Sequence, residues 1–206
     1  MELKIINQNQ MGQNIYVYYD NISKDAVIID PGNNHDEILK EIQGFNIKYI
    51  LLTHSHFDHI TFVTAIKEAT NASLCAHMDE LPLLLDPELN YSTKGPNGPI
   101  SLVADTTLQD NDTFTIGSAI IKVIHTPGHT AGGICFYDEK NKILFTGDTL
   151  FRHDIGRADL PTGNESILVN SIKTKLLTLP DDVIVYPGHG PSSTIKDEKE
   201  GNRYVR

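Results

Sequence analysis

One short segment constrains this chain more than any other. The strand-like run Ile47 to Leu52 passes directly into Thr53-His54-Ser55-His56-Phe57-Asp58-His59, which places three imidazoles and a carboxylate within six residues. Neutral imidazole and carboxylate together suit zinc and similar first-row ions, so a strand ending in this cluster delivers metal ligands. His54 and His56 lie two apart, and in extended backbone both rings point to the same side. The fold must therefore open a sheet edge at this point and bring further ligands to it.

Three distant runs supply candidates. Ile121 to His125 ends in Thr126-Pro127-Gly128-His129-Thr130, Ile143 to Phe145 in Thr146-Gly147-Asp148-Thr149, and Val183 to Tyr186 in Pro187-Gly188-His189-Gly190. In each, a glycine permits a tight turn and the next side chain is a potential ligand. Together with the first cluster they give five histidines and two aspartates, more than one tetrahedral ion needs and a fit for two.

The rest of the chain reads as alternating strand and helix signals. Leu3 to Ile6, Ile15 to Tyr19 and Ala26 to Ile29 are strands, the last broken by Asp30-Pro31-Gly32. Helical spacing begins at Asn34 and places Ile38, Leu39 and Ile42 on one face, with Gly44 as its stop. A helix from about Ile60 to Ala69, a strand Ser73 to Ala76 and a short helix Met78 to Leu85 follow. Asp86 to Pro99 is irregular and reads as a flap. Thr113 to Ile116, Ala119 to Ile124, Gly133 to Tyr137 and Ile143 to Phe145 are strands. A helix from about Glu165 to Leu177 is expected to bury Ile167, Leu168, Ile172 and Leu176, ahead of a strand Val183 to Tyr186 and a charged final segment. Two rough halves of this kind predict an α/β (α+β) architecture, a single αββα domain over residues 1–206 with sheets face to face and helices outside.

Composition narrows the function. The 27 acidic and 17 basic side chains give a net charge of −10, which repels phosphate backbones, so no nucleic-acid partner is expected. The start, Met1 to Gln8, lacks a signal-peptide pattern, and no apolar run approaches the ~20 residues of a membrane span, so no membrane partner is expected. Cys75 and Cys135 read as reduced, buried small hydrophobes of a cytoplasmic protein.

The motifs T-H-S-H-F-D-H, T-P-G-H-T, G-D-T-L-F and P-G-H-G, in this order, resemble the metallo-β-lactamase superfamily, and within it the glyoxalase II-like thioester hydrolases. Ile29-Asp30-Pro31-Gly32 matches an early motif whose aspartate supports the metal-bearing loop. The resemblance implies two mixed β-sheets flanked by helices and a pair of divalent ions, zinc first, with iron or manganese compatible. It gives His54, His56 and His129 to one ion, Asp58, His59 and His189 to the other, and Asp148 to both. It also gives Asp58 a catalytic role toward the proton of a bridging hydroxide. The implied reaction is hydrolysis of a small anionic acyl-thioester, an S-2-hydroxyacyl-thiol such as S-lactoylglutathione, by attack of that hydroxide. A mononuclear-iron persulfide dioxygenase and a lactonase share the motif run and are the alternatives.

Substrate anchoring departs from the full glyoxalase II pattern. The chain ends 17 residues after His189, at Arg206, without the family's helical carboxy-terminal domain. Asp159 and Pro191 stand where two tyrosines are expected, which leaves Arg157 as the carried-over substrate contact. Only four arginines are present, and Arg152 and Arg157 both lie within ten residues of Asp148. A guanidinium there could clamp a carboxylate, or pair with Asp154 or Asp159 instead. His35, His77, His125 and His153 read as structural or solvated, although His125 lies close enough to His129 to support it. Ile60-Thr61-Phe62 stands where relatives often carry two glycines.

Overall fold

Alternation along the strands sets the layers. The structure, a computed structural model, describes residues 1–6, 12–33 and 35–206. In β2 (Ile15–Tyr19), which follows β1 (Glu2–Ile6), Ile15, Val17 and Tyr19 face one way and Tyr16 and Tyr18 the other, and all five are buried. A strand buried on both faces must lie between two layers.

The first sheet runs β1, β2, β3 (Asp25–Ile29), β4 (Asn46–Leu51), β5 (Ser73–His77), β6 (Thr106–Leu108). Its first three strands pair antiparallel, and β3 to β6 pair parallel. The second half contributes β7 (Thr113–Ile116), β8 (Ala119–His125), β9 (Ile134–Asp138), β10 (Ile143–Gly147), the small hairpin of β11 (Leu150–Phe151) and β12 (Asp154–Ile155), β13 (Ile184–Pro187) and β14 (Ser193–Thr194). These form a sheet in the order β14-β13-β10-β9-β8-β7, in which only β10 and β13 are parallel.

Between the sheets pack Tyr16, Tyr18, Val27, Ile29 and Leu51 against Ile121, Val123, Phe136 and Phe145. On the outer face of the first sheet, Ile28, Ile50 and Leu52 meet Ile38 of α1 (His35–Glu41) and Val63 and Ile66 from beyond the short α2 (Phe57–Ile60), in α3 (Val63–Thr70). Leu84 of α4 (Leu81–Leu85) joins them. On the outer face of the second, Cys135, Leu144 and Val185 meet Leu168 of α5 (Glu165–Ser171) and Ile195 of α6 (Ile195–Gly201). Each such aliphatic burial contributes about 1.5–3 kcal/mol, which is why the four layers αββα stay closed. The expected class, two mixed sheets flanked by helices, is the observed one.

Several elements differ from the sequence reading. The helix expected from Ile60 to Ala69 is two helices, because the Phe62 N–H donates to Pro31 O at 3.0 Å instead of to the preceding turn. The helix expected to reach Leu177 changes at Ile172 to a wider turn, in which Leu177 N–H donates to Ile172 O. Ile167, expected in its buried stripe, is 45% exposed: it stands one residue, about 100°, off the stripe of Leu168, Ile172 and Leu176. Strands β6, β11, β12 and β14, each of two or three residues, and helix α6 were not expected. The segment read as a flap is fixed at its root, where Asn90 is fully buried and its carbonyl accepts the Phe57 N–H at 2.9 Å. Asn34, and Asn7 and Gln8 at the start, lie outside the described residues. Cys75 and Cys135 are buried and unbridged. Among the described residues no helix is long and apolar enough to cross a membrane.

Candidate metal centre

The ligand candidates converge because both sheets end on the same edge. Strands β3, β4 and β5 run parallel, so Asp30, the His54 to His59 segment and the turn after His77 emerge together at their carboxyl ends. From the second sheet, β8, β10 and β13 deliver His129, Asp148 and His189. Thr53 joins the sheets, its carbonyl accepting the Ile134 N–H at 2.9 Å. The turns need their glycines: Gly128 and Gly147 take φ of +134° and +49°, and a side chain at Gly188 would run into Asp148 Oδ1.

Two triads result. His54, His56 and His129 each bring a nitrogen within 4.8 Å of the other two, and so do the ligand atoms of Asp58, His59 and His189. Asp148 lies between them, with Oδ1 3.4 Å from His59 Nε2, and Oδ2 3.6 Å from His189 Nε2 and 3.8 Å from His129 Nε2. The seven ligand candidates thus lie together at one sheet edge, and Asp30 joins His54 and His59 in a further overlapping group.

Hydrogen bonds behind the rings fix which nitrogen faces inward. Asp30 accepts from Thr53 N at 2.8 Å, from Thr53 Oγ1 at 2.6 Å and from His59 Nδ1 at 3.0 Å. Because the Thr53 hydroxyl gives its proton to Asp30, His54 Nδ1 donates to Thr53 Oγ1, at 3.1 Å. His129 Nδ1 donates to the Arg157 carbonyl at 2.6 Å. The Nε2 atoms of His54, His59 and His129 are therefore the ones turned toward the centre. Asp30 holds this position at φ +52°, in the left-handed region that aspartate tolerates.

Charge is divided between the triads. Burial and the neighbouring imidazoles keep His54 well below the usual histidine range, and burial with His129 pushes His56 down to about 3. Burial likewise lowers His129, against the pull of Asp148. These three rings are neutral and offer lone pairs without competition from protons. On the other side, burial opposes the charge on His59, but Asp148, Asp58 and Asp30 outweigh it and raise its pKa to about 10. Burial disfavours the Asp58 carboxylate, yet His59 and His189 hold it well below the usual range.

This arrangement fits cations. His54 Nε2 and Asp148 Oδ1 are buried without a hydrogen-bond partner, as is His56 Nε2 behind a ring whose Nδ1 faces His129 Nε2 at 2.9 Å. Donors around a tetrahedral zinc with bonds of 2.0–2.1 Å lie about 3.3 Å apart. His59 Nε2 and His189 Nε2 are 3.3 Å apart, and His189 Nε2 and Asp58 Oδ2 3.2 Å. The clusters could hold two metal ions.

Comparison with known proteins decides the family. The model of the metallo-β-lactamase superfamily matches residues 9–189. The chain belongs to the metallo-β-lactamase superfamily. Hydroxyacylglutathione hydrolase GloC of Haemophilus influenzae is 34% identical over 209 residues, covering 100% of this chain and 98% of that protein. Among solved structures, the B3 metallo-β-lactamase BLEG-1 superposes with a TM-score of 0.92 at 38% identity, covering 99% of each chain. TTHA1623 in a di-iron-bound form gives 0.85 at 32% identity, over 98% of this chain and 99% of that one. Membership in this superfamily of metallo-hydrolases supports an enzyme.

The remaining candidates fall outside the two triads. The Arg157 guanidinium is exposed and makes a two-pronged pair with Asp159, Nε and Nη2 each donating at 2.7 Å. No ion pair joins Arg152 to Asp154 or Asp159 among the described residues. His125 stacks on His77 at 4.0 Å and 18°, and its ring bonds the Ala131 carbonyl, not His129. Asp79 approaches this pair, but stacked rings point their in-plane nitrogens parallel, not toward one ion. Sequence reasoning missed Glu80, which ties the two triad loops from behind, and Tyr91, whose ring edges His56 at 6.3 Å between centroids. No local pattern marks either residue.

Proposed function

We propose that this chain hydrolyses small anionic acyl-thioesters of the S-2-hydroxyacyl-thiol type; its Haemophilus influenzae relative is named a hydroxyacylglutathione hydrolase. The observation that carries the reading is the pairing of a neutral imidazole triad with a carboxylate-bearing one across Asp148. In this reading His54, His56 and His129 would hold one ion and Asp58, His59 and His189 a second, with Asp148 between the two sets as a shared ligand. Ions held there would turn water into a nucleophile at neutral pH and polarise a thioester carbonyl. Zinc suits the donor set, and iron suits it too. Asp58, kept ionised inside the site, is the residue assigned to accept a proton from the attacking water.

Arg157 is the assigned anchor for the substrate's carboxylate. Its carbonyl accepts the His129 Nδ1 proton, which puts its backbone beside the centre, and its charge acts on His56. An incoming carboxylate would take over the fork now filled by Asp159. An exposed pair of this kind is screened by solvent and holds weakly, so the exchange costs little. Arg157→Ala is expected to raise KM for anionic thioesters more than for neutral ones; equal effects on both would remove the anchor. Metal analysis of the purified protein alongside assays on acyl-glutathione, acyl-coenzyme A and lactone substrates tests the whole reading. Thioester cleavage with two ions per chain supports it. A single iron with oxygen uptake on glutathione persulfide, and no thioester cleavage, overturns it.

A further inference from the structure

Glu80 is a buried carboxyl group, and among the described residues no cationic side chain pairs with it. It closes the turn after β5 and is 1% exposed. Its Oε1 accepts the Ser55 N–H at 2.8 Å, and its Oε2 accepts the Thr130 hydroxyl at 2.8 Å and the Gly132 N–H at 3.0 Å. Ser55 stands between His54 and His56, in the loop leaving the first sheet. Thr130 and Gly132 follow His129, in the loop leaving β8 of the second. One side chain from a third loop therefore joins the two loops on which the neutral triad is built.

Burying a carboxyl group is costly, and backbone hydrogen bonds alone could have closed these loops without that cost. What the carboxylate adds is three strong acceptor contacts converging on two atoms a fixed distance apart, so the loops cannot slide past one another without breaking at least one. No atom of Glu80 belongs to either ligand triad. We propose that Glu80 is the positioning residue of the first triad, setting the separation of His54 and His56 from His129. This rests on the two-ion reading of the centre.

Zinc binding tests it without reference to any substrate. Metal-stripped wild type, Glu80→Gln, Glu80→Ala and Thr130→Val would be titrated with zinc against a chromophoric chelator. Cobalt would be added in parallel, to follow the visible bands of the imidazole-rich site. Glutamine keeps the shape but offers one acceptor oxygen, and valine removes one donor of the three. Affinity at one of the two sites is expected to fall in the order wild type, Thr130→Val, Glu80→Gln, Glu80→Ala. The loss for alanine should be about 10- to 100-fold, with altered cobalt bands and an unchanged far-ultraviolet circular dichroism spectrum. Wild-type affinity and bands in Glu80→Gln and Thr130→Val would overturn the proposal, as would a loss of zinc that occurs only together with loss of fold. A wild type that binds no zinc or cobalt would instead defeat the two-ion reading itself.

Discussion

Asp30 shows how much of the centre is held by residues that would not touch an ion. Its carboxylate takes the Thr53 N–H, the Thr53 hydroxyl and the His59 Nδ1 proton, so it orients one ring in each triad, His54 through Thr53 and His59 directly. Asparagine tolerates the same left-handed backbone, so Asp30→Asn removes charge and an acceptor without straining the turn. Zinc affinity is expected to drop about 10- to 100-fold in that variant, with a melting temperature close to wild type, by chelator competition and thermal scan. Unchanged affinity would show that the rings are oriented by packing alone. The seven ligand candidates were legible in the sequence because four cluster directly after β4 and the other three each follow a glycine beyond a strand. Glu80 was not: in the apolar run Met78 to Leu85 it looks like the solvent face of a short helix. Its donors are two backbone N–H groups and a hydroxyl, 25 to 52 residues away.

Among the elements, α5 separates pattern from packing. Leu168 is fully buried against the second sheet while its neighbour Ile167 is half exposed. Leu168→Ala is expected to cost about 2–5 kcal/mol and Ile167→Ala under about 1, read as urea midpoints. Equal costs would mean that α5 is rotated from the position seen here. The sequence reading, a helix from about Glu165 to Leu177, placed both residues inside because adjacent apolar positions stand only about 100° apart on a helix. The short β6 and β14 were invisible for a related reason, since two- and three-residue strands exist only through their neighbours. At the turn after β2, Asp20 ties the sheets together, accepting from Ile22 N, Ser23 N and Ser118 N at 2.8, 3.1 and 2.9 Å. Hydrogen bonds from Ser118, Ile22 and Ser23 hold its carboxyl well below the usual range. A depressed folded pKa stabilises above the unfolded value of about 3.9, and that contribution disappears as pH falls through the folded one. Wild type should therefore exceed Asp20→Asn in urea midpoint at pH 6, and the gap should narrow toward pH 2. A gap independent of pH would contradict the sign.

At the scale of the whole molecule, the centre exists only while the two sheets stay in register. The first sheet supplies His54, His56, Asp58 and His59, and the second His129, Asp148 and His189. Binding to the folded state alone stabilises it, by about 2.7 kcal/mol at one hundred times the dissociation constant, so chelation should lower the melting temperature and zinc restore it. The layers were legible because the strands read as short apolar runs bounded by turn residues and the helices carry apolar stripes. The closeness of the triads was not, since it depends on how strand ends from opposite sheets meet over Thr53. Asp148 is the residue on which that meeting turns, and its stoichiometry experiment is the most direct one. Metal content per chain, measured on wild type and Asp148→Ala purified in parallel, should be two in the first and reduced in the second, with hydrolysis abolished. Two ions and full activity in Asp148→Ala would contradict the account.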